Sequence, residues 1–286
     1  MAKYGIPYMG SKSGIADKII PFLPKGGRFC DLFGGGFAMT ECAIRSGKYN
    51  SFLYNEINPL LPKLINEAIH GKYNYDKFKP EWISRDEFNK LKDKDGYVKY
   101  IWSFGNNGRQ YLFGQDLEPK KKSLHNFVVF SIKDKFIEEH FSDIDKYVKG
   151  KDIRKRRLLL RRYMQLKNQQ LERLQQLERL EQLQQLERLQ QLEITCGSYE
   201  QYVHQDGDVV YCDPPYEGTA EYSGGFDHKT FYDWVASRDF PVYFSSYQNI
   251  SDKRFKMIWA AGKVNLMAGA SGRKKNYECI YTNQAR

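Results

Sequence analysis

The residues with the clearest chemical potential lie at 213–216, where Asp-Pro-Pro-Tyr directly follows the apolar segment 209–212. The apolar segment predicts a buried strand, and a carboxylate at the end of a strand lies where open α/β sheets bind ligands. Pro214 and Pro215 have no backbone N–H to donate, so their loop is rigid and offers carbonyl acceptors. Together with the ring of Tyr216, these acceptors could hold a planar ligand by an exocyclic amino group. The plainer alternative is a proline-rich turn with an aspartate cap and a core tyrosine.

Short apolar segments that alternate with helical spacings predict the elements around this loop. Strands are expected at residues 28–33, 51–55, 209–212, 241–245, 256–260 and 278–281, and helices at 13–23, 37–46, 59–70, 132–148 and 228–236. Strands separated by helical crossovers form a parallel sheet covered by helices, so the expected fold class is α/β. Residues 73–194 break this rhythm, which predicts a sheet domain at 1–72 and 195–286 with a mostly helical insertion.

The composition limits the classes of protein to which the chain can belong. Its 286 residues are 41% hydrophobic, which is enough for a core and excludes wholesale disorder. No apolar run approaches the roughly 20 residues that span a bilayer, and the amino terminus lacks the profile of a secretory signal. The five cysteines and five histidines show no metal-ligand spacing, so we expect a reducing cytoplasm and no metal.

The excess of basic residues suggests an acidic partner. The formal charge is +10, which by itself fits nucleic acid, an anionic membrane or a merely soluble basic protein. Nine basic and two acidic residues lie at 151–173. This concentration predicts an element that contacts phosphates, although a solvated basic helix is the plainer explanation.

Residues 171–192 carry a leucine at every third position, within near-copies of Gln-Gln-Leu-Glu-Arg-Leu. A period of three differs from that of a coiled coil or an amphipathic helix, so on an α-helix the leucines wind around the whole cylinder. The composition still favours a helix. Two interpretations stay open: a helical arm for self-association or for reaching along DNA, and an expanded low-complexity insert without a dedicated role.

Six segments resemble, in order, the motifs of the Dam-type DNA adenine (N6) methyltransferase family. Tyr-Cys-Asp-Pro-Pro-Tyr at 211–216 is similar to its signature, and Asp-Leu-Phe-Gly-Gly-Gly at 31–36 to its glycine loop. The other matches are Tyr-Met-Gly-Ser-Lys at 8–12, Asn-Glu-Ile-Asn at 55–58, Ser-Phe-Gly-Asn-Asn at 103–107 and Phe-Asp-His at 226–228. The resemblance spans nearly the whole chain apart from the leucine repeat. The repeat and the basic, tyrosine-rich composition are similar to phage or prophage versions.

The resemblance implies a Rossmann-like sheet that binds S-adenosylmethionine, with the insertion as a target-recognition region. The residues that it assigns to the cofactor are Tyr8, Gly10, Lys12, Asp31, Phe33, Gly34, Gly35, Gly36, Glu56, Asn58 and Asp213. Glycines allow close approach of the cofactor, and Glu56 can accept hydrogen bonds from ribose hydroxyls. Two positions depart from the family pattern, since Phe37 stands where the last glycine is expected and Glu56 replaces the commoner aspartate.

The same resemblance implies methylation of the exocyclic amino group of adenine in duplex DNA. The implied catalytic residues are Asp213, Pro214, Pro215 and Tyr216. Asp213 and the Pro214 carbonyl would accept the hydrogens of the amino group and concentrate electron density on its nitrogen. The base must leave the stack, and Tyr216 would stack against it. The chain has no Pro-Cys pair of the kind typical of carbon-5 cytosine enzymes, and aspartate before Pro-Pro favours adenine over amino-cytosine.

The insertion offers polar, aromatic and basic residues that could read bases or contact phosphates. The candidates are Asn106, Asn107, Arg109, Tyr111, Lys121, Lys122, Arg156 and Arg157. Singly, each is more simply explained as a surface or fold residue. Near the carboxyl terminus, Arg-Lys-Lys at 273–275 resembles the basic loop before the family's last strands.

Several alternatives stay open from the sequence. The chain could be a catalytically inactive relative that serves as a DNA-binding scaffold, or an amino methyltransferase acting on cytosine, RNA or protein. A GATC-like recognition site is only a family-level guess, and a place in a restriction-modification system is undetermined. We expect a monomer or a weak dimer on double-stranded DNA, in the bacterial or phage-host cytoplasm.

Overall fold

The computed structural model describes residues 3–166, 173–187, 189, 191–217, 225–248, 250–264 and 275–284, with the backbone alone at 145, 262–264, 275 and 276. The chain divides into two compact units. The sheet unit comprises Ala2–Gly5, Gly10–Pro62 and Leu189–Arg286, and the helical unit comprises Met1, Ile6–Met9 and Lys63–Arg188. No helix among the described residues is long and apolar enough to cross a membrane.

The described residues form seven strands and eleven α-helices. The strands are β1 (Arg28–Asp31), β2 (Ser51–Glu56), β3 (Leu192–Cys196), β4 (Asp208–Cys212), β5 (Val242–Tyr247), β6 (Lys256–Val264) and β7 (Lys275–Thr282). The helices are α1 (Ala16–Ile19), α2 (Ala38–Ser46), α3 (Leu60–Ile69), α4 (Arg85–Leu91), α5 (Gly96–Ile101), α6 (Glu118–Phe130), α7 (Lys135–His140), α8 (Asp145–Val148), α9 (Ile153–Leu166), α10 (Gln175–Gln184) and α11 (His228–Ala236). Short 3-10 turns cover Lys12–Gly14, Ile20–Phe22, Phe104–Asn106 and Tyr199–Gln201.

The strands form one sheet in the order β3-β2-β1-β4-β5-β7-β6. Strands β1 to β5 are parallel, whereas β7 runs antiparallel to both β5 and β6. Successive residues of β4 face opposite cores: Val209 and Tyr211 pack on one side, and Val210 and Cys212 on the other. Strands buried on both faces are typical of a parallel sheet with helices on both sides. The predicted α/β class with a Rossmann-like sheet is therefore confirmed.

Most elements of the sheet unit lie where the sequence predicts them, with two exceptions. Strand β3 is not among the predicted strands because Leu192, its first residue, is also the last leucine of the repeat. The sheet therefore resumes before the boundary expected at residue 195. The helix predicted at 13–23 is instead a 3-10 turn, α1 and a second 3-10 turn, since Pro21 has no amide to continue a regular helix.

The helix predicted at 132–148 is two short helices, α7 and α8. Asp134 caps α7 by accepting a hydrogen bond from the Ile137 amide at 3.0 Å. Phe141 and Ile144 lie at the turn between the helices, and both are buried in the core of the helical unit. Packing of these side chains overrides the continuous helical pattern.

The leucine repeat lies inside the helical unit. Helix α10 forms from the middle of the repeat, and five leucines there are at most 2% exposed: Leu174, Leu177, Leu180, Leu183 and Leu186. A helix with apolar residues on every side is stable when other elements surround it, and a leucine period of three provides such a helix. These five leucines are therefore packed within the helical unit and are not displayed on the surface of a helix. Repeat residues 171, 172, 188 and 190 lie outside the described residues.

Polar side chains between the leucines are also buried, and they are paired within the helical unit. Arg157 of α9 donates to the two carboxylate oxygens of Glu181 at 2.9 and 2.7 Å and to Glu178 at 3.4 Å. Gln176 Nε2 lies 3.2 Å from Nδ1 of the buried His125. Because a buried charge without a partner is costly, the Arg157 pairs fix how α9 packs on α10, and the Gln176–His125 contact joins α10 to α6.

Replacing Arg157 by methionine should lower the free energy of unfolding of the helical unit by about 3–5 kcal/mol, because the buried Glu181 would lose both hydrogen bonds from Arg157 and keep only Arg154, whose Nε lies 3.9 Å away. The matched control is Arg161→Met on the same helix. Its side chain is 37% exposed and lies 3.7 Å from Glu178, so the expected loss is about 1 kcal/mol or less. Denaturant titration followed by far-ultraviolet circular dichroism measures both, and equal losses would contradict the assignment.

Candidate active site

The site is built where three neighbouring strands of the sheet unit end. Strand β1 ends at Asp31 and β2 at Glu56, and β4 is followed directly by Asp213. Since β1 lies between the other two and all three are parallel, three carboxylates reach the same edge of the sheet. The carboxyl edge of parallel strands is where open α/β sheets bind ligands.

Lys12 connects the loop at 213–216 with strand β7. Its ammonium lies 2.7 Å from Asp213 Oδ1 and 3.3 Å from Glu278 Oε1. The Tyr216 hydroxyl lies 3.2 Å from Asp213 Oδ1 and within hydrogen-bond distance of Glu278 Oε1. Lys12 is 5% exposed and Glu278 only 1%. One ammonium and one phenol are therefore shared by two carboxylates in a buried setting.

Glu278 is not among the residues that the sequence singles out. It belongs to β7, where it pairs with Tyr247 at the end of β5. Because β7 is antiparallel to β5, a residue early in β7 reaches the edge at which the parallel strands end. The available signal was a glutamate directly before Cys279 and Ile280, which are both fully buried, since a buried charge needs a partner.

Burial and neighbouring charges set the protonation of this cluster. Burial raises the pKa of Asp213, an effect that the Lys12 ammonium opposes and the Glu278 carboxylate reinforces. For Lys12, burial alone would lower the pKa, but the attraction of Asp213 and Glu278 outweighs it and the pKa is raised. The pKa of Tyr216 is raised by burial and by the same two carboxylates. Lys12 is therefore a permanent cation, and Tyr216 stays a neutral hydroxyl.

Hydrogen bonds hold the glycine loop against the end of β2. The carboxylate of Glu56 accepts from the Gly35 amide and from the Asn58 amide, both at 2.9 Å. The Tyr54 hydroxyl donates to the Gly35 carbonyl at 2.8 Å. A Cβ atom added at Gly34 would lie 2.1 Å from the ring of Tyr54, so the close packing of loop and ring requires glycine.

Phe37 occupies the position at which the sequence comparison led us to expect a glycine. Its φ of 70° lies in the left-handed region that favours glycine. The side chain is fully buried, and its ring centroid is 5.3 Å from that of Tyr54. Burial of the ring compensates for the backbone strain. The loop therefore retains a conformation that glycine would adopt readily.

Asp31 is a buried carboxylate with one unpaired oxygen. Thr40 Oγ1 donates to Oδ2 at 2.8 Å, whereas Oδ1 is buried and has no hydrogen-bond partner among the residues that the structure describes. Burial raises the pKa of Asp31 to about 7, and the charges of Asp213 and Glu56 add to this effect. The side chain is therefore well suited to a positively charged ligand.

Comparison with known families agrees with this geometry. The family model for D12 class N6 adenine-specific DNA methyltransferases matches residues 8–237, which is most of the chain and includes Lys12, the glycine loop, Glu56 and Asp213. The chain belongs to this family. It is therefore an enzyme that methylates adenine in DNA, and the predicted family, fold and activity are confirmed. No curated protein matches the chain.

The other residues assigned to the cofactor of this D12 class methyltransferase lie in both units. Gly10, with a φ of 79°, belongs to the sheet unit. Phe33 is half-buried there, with its ring centroid 5.2 Å from that of Tyr199. Tyr8 belongs instead to the helical unit, where its ring centroid lies 5.6 Å from that of Tyr100.

Three of the residues predicted to contact DNA are buried inside the helical unit. Tyr111, Lys121 and Arg157 are at most 7% exposed. The Tyr111 hydroxyl donates to the Ile83 carbonyl at 2.7 Å, the Lys121 ammonium donates to the Arg173 carbonyl at 2.6 Å, and Arg157 forms the ion pairs described above. The structure corrects the prediction for these three residues, because their polar groups are bonded within the unit and not presented to DNA.

The remaining candidates for DNA contact are at least partly exposed, namely Asn106, Asn107, Arg109, Lys122 and Arg156. Asn107 Oδ1 accepts a hydrogen bond from the Arg109 amide at 2.8 Å, so it also shapes its own loop. Arg156 donates to the Val129 carbonyl at 3.0 Å.

The basic segment before the repeat is partly neutralised inside the helical unit. Arg157, Arg161 and Arg173 approach the buried Glu178 at 3.4, 3.7 and 2.9 Å. The expectation of a phosphate-contacting element therefore applies to the side chains of this segment that face solvent, such as Arg162.

Two further expectations concern metals and the last basic loop. Within the described parts of the chain, no group of three or more histidine, cysteine, aspartate or glutamate side chains is placed to hold a metal ion. The basic residues predicted at 273 and 274 lie outside the described residues, and residue 275 begins β7.

Replacing Asp31 by asparagine should remove a pH dependence of stability. The pKa of Asp31 in the folded protein, about 7, is higher than in an unfolded chain, so between about pH 4 and 7 the folded state binds the extra proton. Wild-type stability should fall as pH rises through this window, and Asp31→Asn should be spared this loss, which is about 4 kcal/mol at most. Denaturant titrations at about pH 5 and 8 measure the difference, with the exposed Asp239→Asn as control. Parallel pH dependence in Asp31→Asn and wild type would contradict it.

Proposed function

We propose that this enzyme transfers the methyl group of S-adenosylmethionine to the exocyclic amino group of adenine in duplex DNA, after the base has left the helical stack. The observation that carries the proposal is the buried cluster of Lys12, Asp213, Tyr216 and Glu278 at the end of β4. The cluster fixes a carboxylate at the ligand-binding edge of the sheet, in a family of adenine-specific enzymes.

The residues at this edge fit S-adenosylmethionine, which carries a positive sulfonium and supplies an electrophilic methyl group when bound. Asp31 Oδ1 and Glu278 Oε2 are buried without hydrogen-bond partners among the described residues, so negative charge is available to a cationic ligand. Glu56, held by two backbone amides, can accept hydrogen bonds from ribose hydroxyls. The glycines at 34–36 allow close approach of the backbone.

Asp213 is oriented for an acceptor role before the substrate arrives. Lys12 and Tyr216 both approach its Oδ1 atom, and we infer that Oδ2 accepts one hydrogen of the target amine and the Pro214 carbonyl the other. Accepting both hydrogens concentrates electron density on the nitrogen that attacks the methyl carbon. Because burial raises the pKa of Asp213, the same carboxylate can take up the proton that the nitrogen loses.

The loop that carries Asp213 is held from its other side as well. The Pro215 carbonyl lies 2.8 Å from His228 Nε2 at the start of α11. The ring centroid of Tyr216 lies 4.7 Å from that of Tyr247, and the two ring planes meet at 80°. We infer that Tyr216, whose plane is fixed in this way, stacks against the flipped adenine.

The helical unit is proposed to recognise the DNA target. The proposed contacts are Asn106, Asn107, Arg109, Lys122 and Arg156, which are at least partly exposed. Amide side chains can read adenine edges, and basic side chains bind phosphates. The proposal places the enzyme in the cytoplasm, where its DNA substrate lies.

Asp213→Ala should lower incorporation of labelled methyl groups into adenine of duplex DNA by about 10²–10³-fold, because the target amine loses its charged acceptor. The exposed Asp239→Ala, in the same unit, should retain the wild-type rate. Label in cytosine with the wild-type enzyme, or undiminished adenine label in Asp213→Ala, would sink the proposal.

Glu278→Gln should shift the acidic limb of the pH–rate profile to lower pH. The charge of Glu278 raises the pKa of Asp213, so a neutral glutamine should lower that pKa and keep Asp213 ionised in more acidic solution. The measurement is kcat/KM from about pH 5 to 9, with Glu193→Gln, whose native side chain is 58% exposed, as control. An acidic limb that stays in place or moves to higher pH is the contrary result.

A further inference from the structure

An arginine of the leucine repeat binds the backbone at the end of α5. Arg179 is 8% exposed, and its Nη1 atom lies 3.3 Å from the Tyr100 carbonyl, 2.9 Å from that of Ile101 and 2.6 Å from that of Ser103. The last carbonyls of a helix have no partner within the helix, and a cation there is favoured by the helix dipole. Arg179 therefore caps α5 from a distant part of the chain.

The same contacts reach the base of an exposed loop at residues 103–111. The base is closed by a hydrogen bond from the Phe104 amide to the Gln110 carbonyl at 2.7 Å and one from the Leu112 amide to the Trp102 carbonyl at 2.9 Å. Within the helical unit, the guanidinium of Arg179 lies against the carbonyl of Ser103, the first residue of this loop. Arg179 therefore contacts the backbone directly at the base of the loop.

The loop itself is internally ordered and presents side chains to solvent. Gly105, Asn106 and Gly108 all have a φ near 60°, which gives the loop a tight course. Phe104 is 59% exposed, and Arg109 is exposed as well. A short loop with few internal degrees of freedom moves as a body, so its orientation is set at its base.

The repeat sequence alone does not determine which of its arginines contacts the carbonyls at the end of α5. Gln-Gln-Leu-Glu-Arg-Leu occurs three times, at residues 169–174, 175–180 and 184–189. Each copy has leucines at the same two places, so the leucine pattern does not distinguish the copies and polar contacts must do so, as a buried polar residue sets the register of a coiled coil. In the middle copy these contacts are Arg179 with the three carbonyls and Gln176 with His125.

We propose that Arg179 is a positioning residue for DNA recognition, and that the buried leucine repeat serves to hold the loop at 103–111 in place. The proposal rests on the proposed role of Asn106, Asn107 and Arg109 in contacting DNA. Arg179 acts on the substrate through the loop, because its guanidinium is engaged with the backbone inside the helical unit.

The first arm of the test is amide hydrogen exchange across residues 102–112 in the full-length protein. Arg179→Met should accelerate exchange of the Phe104 and Leu112 amides by about tenfold or more, since their hydrogen bonds close the loop base. Arg173→Met is the matched control, because Arg173 has the same place in the preceding copy of the hexapeptide but pairs with Glu178. It should leave loop exchange at the wild-type rate.

The second arm is methyl transfer with saturating S-adenosylmethionine. Arg179→Met should raise KM for duplex DNA by about tenfold with a smaller effect on kcat, because orientation of the loop is lost before the chemical step. Binding of S-adenosylmethionine, measured by calorimetry, should be unchanged. Arg179→Lys retains a cation that can donate hydrogen bonds, so its loop exchange and its KM for DNA should lie between those of the wild type and Arg179→Met. If Arg179→Met does not fold, Arg179→Lys is compared with the wild type instead.

Wild-type loop exchange in a folded Arg179 variant would overturn the proposal, and so would faster exchange with an unchanged KM for DNA. Failure of the proposed function has a different signature, because the wild-type enzyme would then transfer no methyl group to DNA adenine while the exchange arm could still show anchoring of the loop.

Discussion

The ammonium of Lys12, buried between Asp213 and Glu278, is the interaction on which the rest of the site depends. Two carboxylates so close together would repel each other in a buried setting, and one would give up its charge. The shared cation keeps both available and leaves the cluster with an overall negative character. A site with this charge suits a cationic ligand. It also offers a carboxylate that can accept hydrogen bonds from an amine.

The reversed direction of one strand makes this cluster possible. Parallel strands deliver only their final residues to the ligand-binding edge, and Asp31, Glu56 and the loop after β4 all arrive in this way. Strand β7 runs the other way, so Glu278, which pairs with the last residue of β5, reaches the same edge from within a strand. The candidate site therefore combines Lys12, near the amino end of the sequence, with Glu278 of β7, so the cluster depends on the pairing of β7 with β5.

Much of this arrangement could be predicted from the sequence, because local signals and tertiary structure agree at the strand ends. The strand before Asp213 and helix α11 are examples, since apolar runs and helical spacing mark both. Glu278 could not be found in this way, because its role depends on a strand pairing between residues far apart in sequence. The burial of Arg157 could not be predicted for the same reason. In the local sequence, a basic residue that contacts DNA looks the same as one that pairs with a buried glutamate. The period-three leucines suggested no definite structure because periodicity cannot show that a helix is surrounded on every side.

The identical copies within the repeat have a genetic consequence. Deleting residues 169–174 and deleting residues 175–180 give one and the same amino-acid sequence. Loss of one unit by slippage during replication therefore leaves a full set of residues for α10, with its arginine and its leucines, but removes the buried Leu174 and the pairing of Arg173 with Glu178 that precede the helix. The redundancy of the repeat therefore preserves the helix itself, whereas the contacts at its amino-terminal end depend on the number of copies.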